Sequence, residues 1–94
     1  MQKKDKITKA KIEKYQTLTA KALKIAKKAI NKKRSIEAHE IIMMVEAYLS
    51  DSKYFQKQQD YINSFAAINY AHGWIDTGAR LKIFNVTDNK LFTI

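Results

Sequence analysis

Apolar residues in the first third of the chain recur on one side of a helix. At about 100° per residue, Tyr15, Leu18, Ala22, Ile25, Ala26 and Ala29 share one arc, with Ile12, Leu23 and Ile30 at its edge. Lys6, Lys9, Lys14, Lys21, Lys24, Lys27 and Lys28 fall on the opposite arc, diluted mainly by Glu13 and Thr17. The spacing predicts one long amphipathic helix over 6–31. It ends in Asn31-Lys32-Lys33-Arg34, where the helix dipole favours cations.

Ser35 reads as the N-cap of a second helix over 35–57. Its main apolar face is Ala38, Ile41, Ile42, Val45, Tyr48, Leu49, Ser52 and Phe55. A second stripe, Ile36, Met43, Ala47 and Tyr54, runs along nearly the opposite side. One face suffices to dock on one neighbour. A second implies either a neighbour on each side or a face kept for a partner subunit or target.

The polar run Gln56-Lys57-Gln58-Gln59 predicts a turn, with Asp60 as the next N-cap. From 60 to 82 the third helix is apolar round most of its circumference. Tyr61, Phe65, Ile68, Ile75 and Ala79 lie on one side, and Ala67, Tyr70, Trp74 and Leu81 on the other, the pattern of a buried helix. Gly78 suits either a C′ position or a small residue inside a helix that continues to about Lys82, and continuation is the reading favoured here. The 83–94 segment sets Phe84, Val86, Leu91, Phe92 and Ile94 around a polar Thr87-Asp88-Asn89-Lys90 turn and is expected to fold back over the core. Short connections make consecutive helices antiparallel neighbours. The expected architecture is a single all-α domain: an antiparallel three-helix bundle with a long first helix and a short C-terminal cover.

Composition sharpens this picture. The chain has no Pro, two Gly and no Cys, so helix breakers are scarce and neither disulfides nor thiolate chemistry is available. No apolar run approaches the ~20 residues that span a bilayer, and no apolar h-region follows the first lysines. A cytoplasmic setting without membrane association is expected. Charge is the outstanding asymmetry. Thirteen of eighteen Lys and Arg lie in residues 1–34 against Asp5 and Glu13, so that third carries +11 (13 − 2) and the rest −2 (5 − 7). Charge this lopsided bears on partners and solubility rather than on fold.

The run Phe65-Ala66-Ala67-Ile68-Asn69-Tyr70-Ala71-His72-Gly73-Trp74-Ile75-Asp76-Thr77-Gly78-Ala79-Arg80-Leu81 is the most distinctive part of the chain. With Ala47-Tyr48-Leu49-Ser50-Asp51-Ser52-Lys53-Tyr54-Phe55 before it and Ile83-Phe84-Asn85-Val86 after it, the chain resembles a family of short archaeal proteins catalogued as domain of unknown function 357. The resemblance covers roughly 35–86. It implies an archaeal source and a small antiparallel helical domain, and it supplies no activity and no catalytic residues. The glycine usual in the helix 2–3 turn of that family is replaced here by Gln58 or Gln59.

Candidate chemistry is sparse. Asn69, His72, Asp76 and Arg80, spaced i, i+3, i+7, i+11, lie along one side of the third helix. His72 and Asp76 four apart could ligate a metal or pair as base and orienter. Further ligands or a nucleophile would have to come from elsewhere, and the only other His is His39. The favoured reading is a structural polar strip with Asp76–Arg80 as an i,i+4 ion pair. Trp74 with Tyr70 could stack on a ligand, but aromatics at helical spacing in a buried helix are assigned to the core.

Lys21, Lys24, Lys27, Lys28, Lys32, Lys33 and Arg34 could track nucleic-acid phosphates by counterion release. That stripe nevertheless holds no Arg before Arg34 and no interleaved aromatic, and a solvated outer face needs the same residues. The sequence therefore predicts a non-enzymatic interaction module without cofactor or metal, its sticky face made of Ile36, Met43, Ala47 and Tyr54. A protein partner or a homodimer is its expected assembly, and nucleic-acid association is the alternative.

Overall fold

The chain forms α1 (Lys9–Lys27), α2 (Ser35–Lys57) and α3 (Tyr61–Arg80), with a short 3-10 turn at Lys32–Arg34 before α2. The structure is a computed structural model and describes residues 6–93. It is an all-α three-helix bundle, and no described helix is long and apolar enough to cross a membrane.

The first helix is shorter than the predicted 6–31 at both ends. The Thr8 side chain accepts a hydrogen bond from the Lys11 amide and caps the helix there. At the other end the backbone leaves the helical ladder for the C-terminal segment. The Asn85 amide donates to the Ala29 carbonyl at 2.7 Å, the Asn31 amide to the Ile83 carbonyl at 2.9 Å, and Ile30 and Phe84 form an isolated antiparallel bridge. The Lys28 and Ala29 amides still bond back to the Ile25 and Ala26 carbonyls, but the Ala29 carbonyl and the Asn31 amide find their partners across the bundle end and not along α1.

The cap assigned to Ser35 belongs to Asn31, whose side chain accepts from the Lys33 amide and opens the 3-10 turn; Ser35 is the first residue of α2. Asp60 caps α3 through the Asn63 amide at 3.2 Å.

Both α2 and α3 end in the same motif. Gln59 has φ 59° and Lys82 φ 63°, so each places a non-glycine side chain in the left-handed region at C′. The Asp60 amide donates to Phe55 O and the Gln59 amide to Gln56 O; the Ile83 amide donates to Gly78 O and the Lys82 amide to Ala79 O. This paired closure stops α3 at Arg80, two residues before the predicted 82, and turns the chain back over the core.

Ile12, Ala22, Leu23 and Ala26 of α1, Ala38, Ile41, Ile42 and Val45 of α2, and Ile68, Ala71, Ile75 and Ala79 of α3 are buried together with Ile83, Phe84 and Phe92. Gly78 lies inside α3, where a Cβ would come within 2.5 Å of the Phe84 ring. The missing side chain is what lets Phe84 seat against the helix. Between α2 and α3, Ser52 and Ser64 exchange hydrogen bonds with each other's carbonyls at 2.8 and 2.7 Å, and Gln16 of α1 donates to Ser52 Oγ at 3.0 Å. Gln16, Ser52 and Ser64, three of the four buried polar residues among those described, thus satisfy one another where the helices meet.

The third helix is not buried all round, contrary to its sequence pattern. Ile62, Tyr70 and Leu81 are 74%, 63% and 52% exposed. Two neighbouring helices and one cover segment leave part of its circumference free.

Candidate interaction surfaces

The polar strip of α3 faces the C-terminal segment and α1. His72 Nε2 donates to the Leu91 carbonyl at 3.1 Å, which leaves Nδ1 of a neutral ring to accept from the Thr19 hydroxyl at 3.1 Å. Asp76 accepts from the Thr93 amide at 3.0 Å and the Thr93 hydroxyl at 3.1 Å, and lies 3.6 Å from His72. The anticipated Asp76–Arg80 ion pair does not form; Asp76 turns to Thr93 and His72, and Arg80 stays exposed. Tyr15, Leu18, Asn69, His72, Asp76 and Lys90 border a cleft of about 400 Å³ beside this strip.

A base beside a hydroxyl resembles half of a nucleophilic pair. The Thr19 hydroxyl, however, belongs to a residue only 1% exposed, and both His72 nitrogens are committed to structural bonds. Among the described residues no group of three His, Cys, Asp or Glu side chains is placed to hold a metal. The strip fastens the C-terminal cover onto α3 and α1.

Large apolar side chains reach the surface elsewhere. Ile36, Met43 and Tyr54 of α2 are 82%, 59% and 60% exposed, and Ala47 between them is exposed too. Glu40 and Asp51 are exposed on the same arc. On the side of α2 toward α3, Tyr48 stacks on Tyr70 with ring centroids 5.0 Å apart and planes 30° from parallel. Next to that pair, Asn69, Tyr70, Gly73, Trp74 and Thr77 border a shallow groove of about 600 Å³. At i, i+4 spacing, Asn69-Gly73-Thr77 and Tyr70-Trp74 form two parallel rows on α3, and the groove runs where Gly73 leaves the first row empty.

Trp74 is partly buried and packs against the core, as the sequence indicated, with one edge on the groove; Tyr70, assigned to the core with it, is exposed, and the groove was missed. Its signal was present: a mid-helix glycine in one row with Asn69 and Thr77 is too polar a line for a buried contact.

The basic residues lie on other surfaces. Lys21, Lys24, Lys28, Lys32 and Lys33 are exposed, and Lys27 is exposed but bonded to Glu46 at 2.8 Å. Arg34 differs from them. Its guanidinium holds Glu37 with two hydrogen bonds of 3.0 and 2.8 Å and donates a third to the Leu81 carbonyl at 2.8 Å. The hydrogen bond from Arg34 holds the Glu37 carboxyl below its ordinary pKa, and the same bond raises that of Arg34. Arg34 thus ties the start of α2 to the end of α3, a role its place in the lysine-rich run did not reveal.

The family model described as "Protein of unknown function (DUF357)" matches residues 14–84. No curated protein and no solved structure matches the chain.

Proposed function

The chain belongs to the DUF357 family of proteins of unknown function, and from that membership and its surface we propose a non-enzymatic protein-interaction module of the cytoplasm. One observation carries the reading. Ile36, Met43, Tyr54, Ile62, Tyr70 and Leu81 are all exposed, and every one lies on α2, on α3 or at the end of α3, none on α1. Scattered single apolar residues need no explanation, but a set confined to two adjacent helices marks an association surface. The polar strip, with its hydroxyl buried and its imidazole bonded on both sides, supports a structural role over catalysis.

The test compares the full chain with a Met43→Ser/Tyr54→Ser/Tyr70→Ser variant by light scattering across concentration and by chemical cross-linking in cells. The reading expects assemblies or cross-linked adducts that the variant loses. A chain that stays monomeric and yields the same adducts as the variant refutes it.

A second reading is nucleic-acid association through Lys21, Lys24, Lys28, Lys32 and Lys33. It is favoured by their being exposed without an ion pair among the described residues, whereas Lys27 and Arg34 are paired. Five phosphate contacts give a slope of log K against log salt of about −4.5 on duplex DNA. A flat response ends that reading.

A further inference from the structure

We propose that two copies of this chain pair by crossing their α3 helices at Gly73, each seating its Tyr70–Trp74 row in the groove of the other. The inference rests on the interaction-module reading and names its partner, a second copy.

Gly73 is the first argument. Glycine is the least favourable helix-interior residue apart from proline, so a mid-helix glycine forgoes stability unless the missing side chain makes room for something. Gly78 has such a reason within the chain, since a Cβ there overlaps Phe84. Gly73 has none: a Cβ would meet nothing within 4 Å, and its φ is not in the positive region. The obstruction it avoids therefore lies outside the chain. Rows at i±4 with a notch between them are the surface that a helix packed ridge-into-groove requires, and two such surfaces cross at about 50°.

Charge selects the second copy. The chain carries +9, so copies repel unless they meet where like charges do not face each other. A two-fold contact places each surface against itself. Pairing through α1 would set lysine against lysine. Pairing through the Ile36–Tyr54 stripe would bring Glu40 and Asp51 toward their own mates. Within Tyr61–Arg80 the only charged residues are Asp76, held by Thr93, and Arg80 at the helix end. The middle of the α3 outer face thus sets no like charge against its own copy.

Twenty residues of α3 run about 30 Å. A standard interface takes about 800 Å² from each partner, a modest fraction of the 6812 Å² surface of the chain. Tyr48, stacked against Tyr70, carries the apolar surface onward to α2.

The experiment is sedimentation equilibrium of the full chain, of Gly73→Leu, and of Ala20→Leu, which places the same side chain on the exposed side of α1. Circular dichroism checks that each variant is folded; a Cβ at Gly73 meets nothing within 4 Å in its own chain. A dimer for the wild type and Ala20→Leu, with its dissociation constant raised about tenfold or more in Gly73→Leu, is the expected result. Tyr70→Ser is expected to weaken it as well. A strictly monomeric wild type overturns the inference, as does a dimer indifferent to Gly73→Leu. A dimer broken only by Met43→Ser with Tyr54→Ser overturns it too, while leaving the interaction-module reading in place.

Discussion

Replacing Gly78 by alanine tests the packing of the C-terminal cover directly. The added Cβ would lie 2.5 and 2.7 Å from two carbons of the Phe84 ring and 3.1 Å from Ile41 Cδ1. Phe84 is 1% exposed, and its backbone is tied down on both sides, its amide to Gly78 O and the next amide to Ala29 O. Neither ring nor main chain has free space to yield. Alanine in a helix interior is worth about 0.5–1 kcal/mol over glycine, whereas forcing a methyl into a filled core costs about 1–3 kcal/mol. Loss of the Phe84 contact altogether would cost about 3–5 kcal/mol and sets the ceiling.

The expected balance is a net destabilisation of about 1 kcal/mol, the difference between the middles of those two ranges. At the size of this domain each kcal/mol lowers Tm by about 4–8 °C. Urea unfolding followed by circular dichroism is the assay, with the midpoint falling and the slope unchanged. Phe84→Leu in the Gly78→Ala background should recover part of the loss, because the two residues share one contact. Gly73→Ala is the internal control. Measured at dilution, where only one chain unfolds, it should raise stability by about 0.5–1 kcal/mol, since nothing opposes the helix-propensity gain. A Gly78→Ala protein as stable as the wild type, or more so, would refute the account of how Phe84 is seated.

Three further outcomes follow from local geometry. Gln59→Gly and Lys82→Gly should each stabilise the fold by about 0.5–1 kcal/mol in thermal unfolding, because the left-handed conformation at these C′ positions strains every residue but glycine. Ser52→Ala should cost about 1–3 kcal/mol in urea unfolding by leaving Gln16 Nε2 and a Ser64 acceptor buried without their partner; adding Gln16→Leu should restore part of it. The Glu37 carboxyl should titrate below the ordinary glutamate range by NMR, and Arg34→Gln should return it to that range. Since the folded-state pKa is the depressed one, the stability from this pair is present above the unfolded-state value and is lost as pH falls through the folded one.

Much of the bundle was legible because α1 and α2 each repeat their apolar face over five or more turns, long enough for period to outweigh local ambiguity. Of the side-chain caps only Asp60 was legible; Thr8 and Asn31 cap just as it does but lie within an unbroken helical pattern, so the sequence placed both inside α1. What else escaped notice was settled by contacts distant in sequence. Residues 28–31 have the composition of a helix, and it is Ile83–Asn85, more than fifty residues later, that takes up the Ala29 carbonyl and the Asn31 amide. Arg34 looks like one more cation in a basic run until the Leu81 carbonyl and Glu37 are seen on either side of its guanidinium.

The two glycines make the same point about the candidate surface. Both lie in one apolar helix, and the pattern does not say what either missing side chain makes room for. The fold separates them, since Gly78 meets Phe84 and Gly73 meets nothing. The pattern of α3 was read as that of a helix enclosed by neighbours, and within one chain the neighbours are too few. The molecule measures 47 × 28 × 15 Å between its outer Cα atoms, a slab too thin for any helix to be surrounded. An apolar circumference on a helix that its own chain cannot enclose is the circumstance in which a second chain completes the burial. The same residues that misled the assignment of Tyr70 to the core therefore argue for the association.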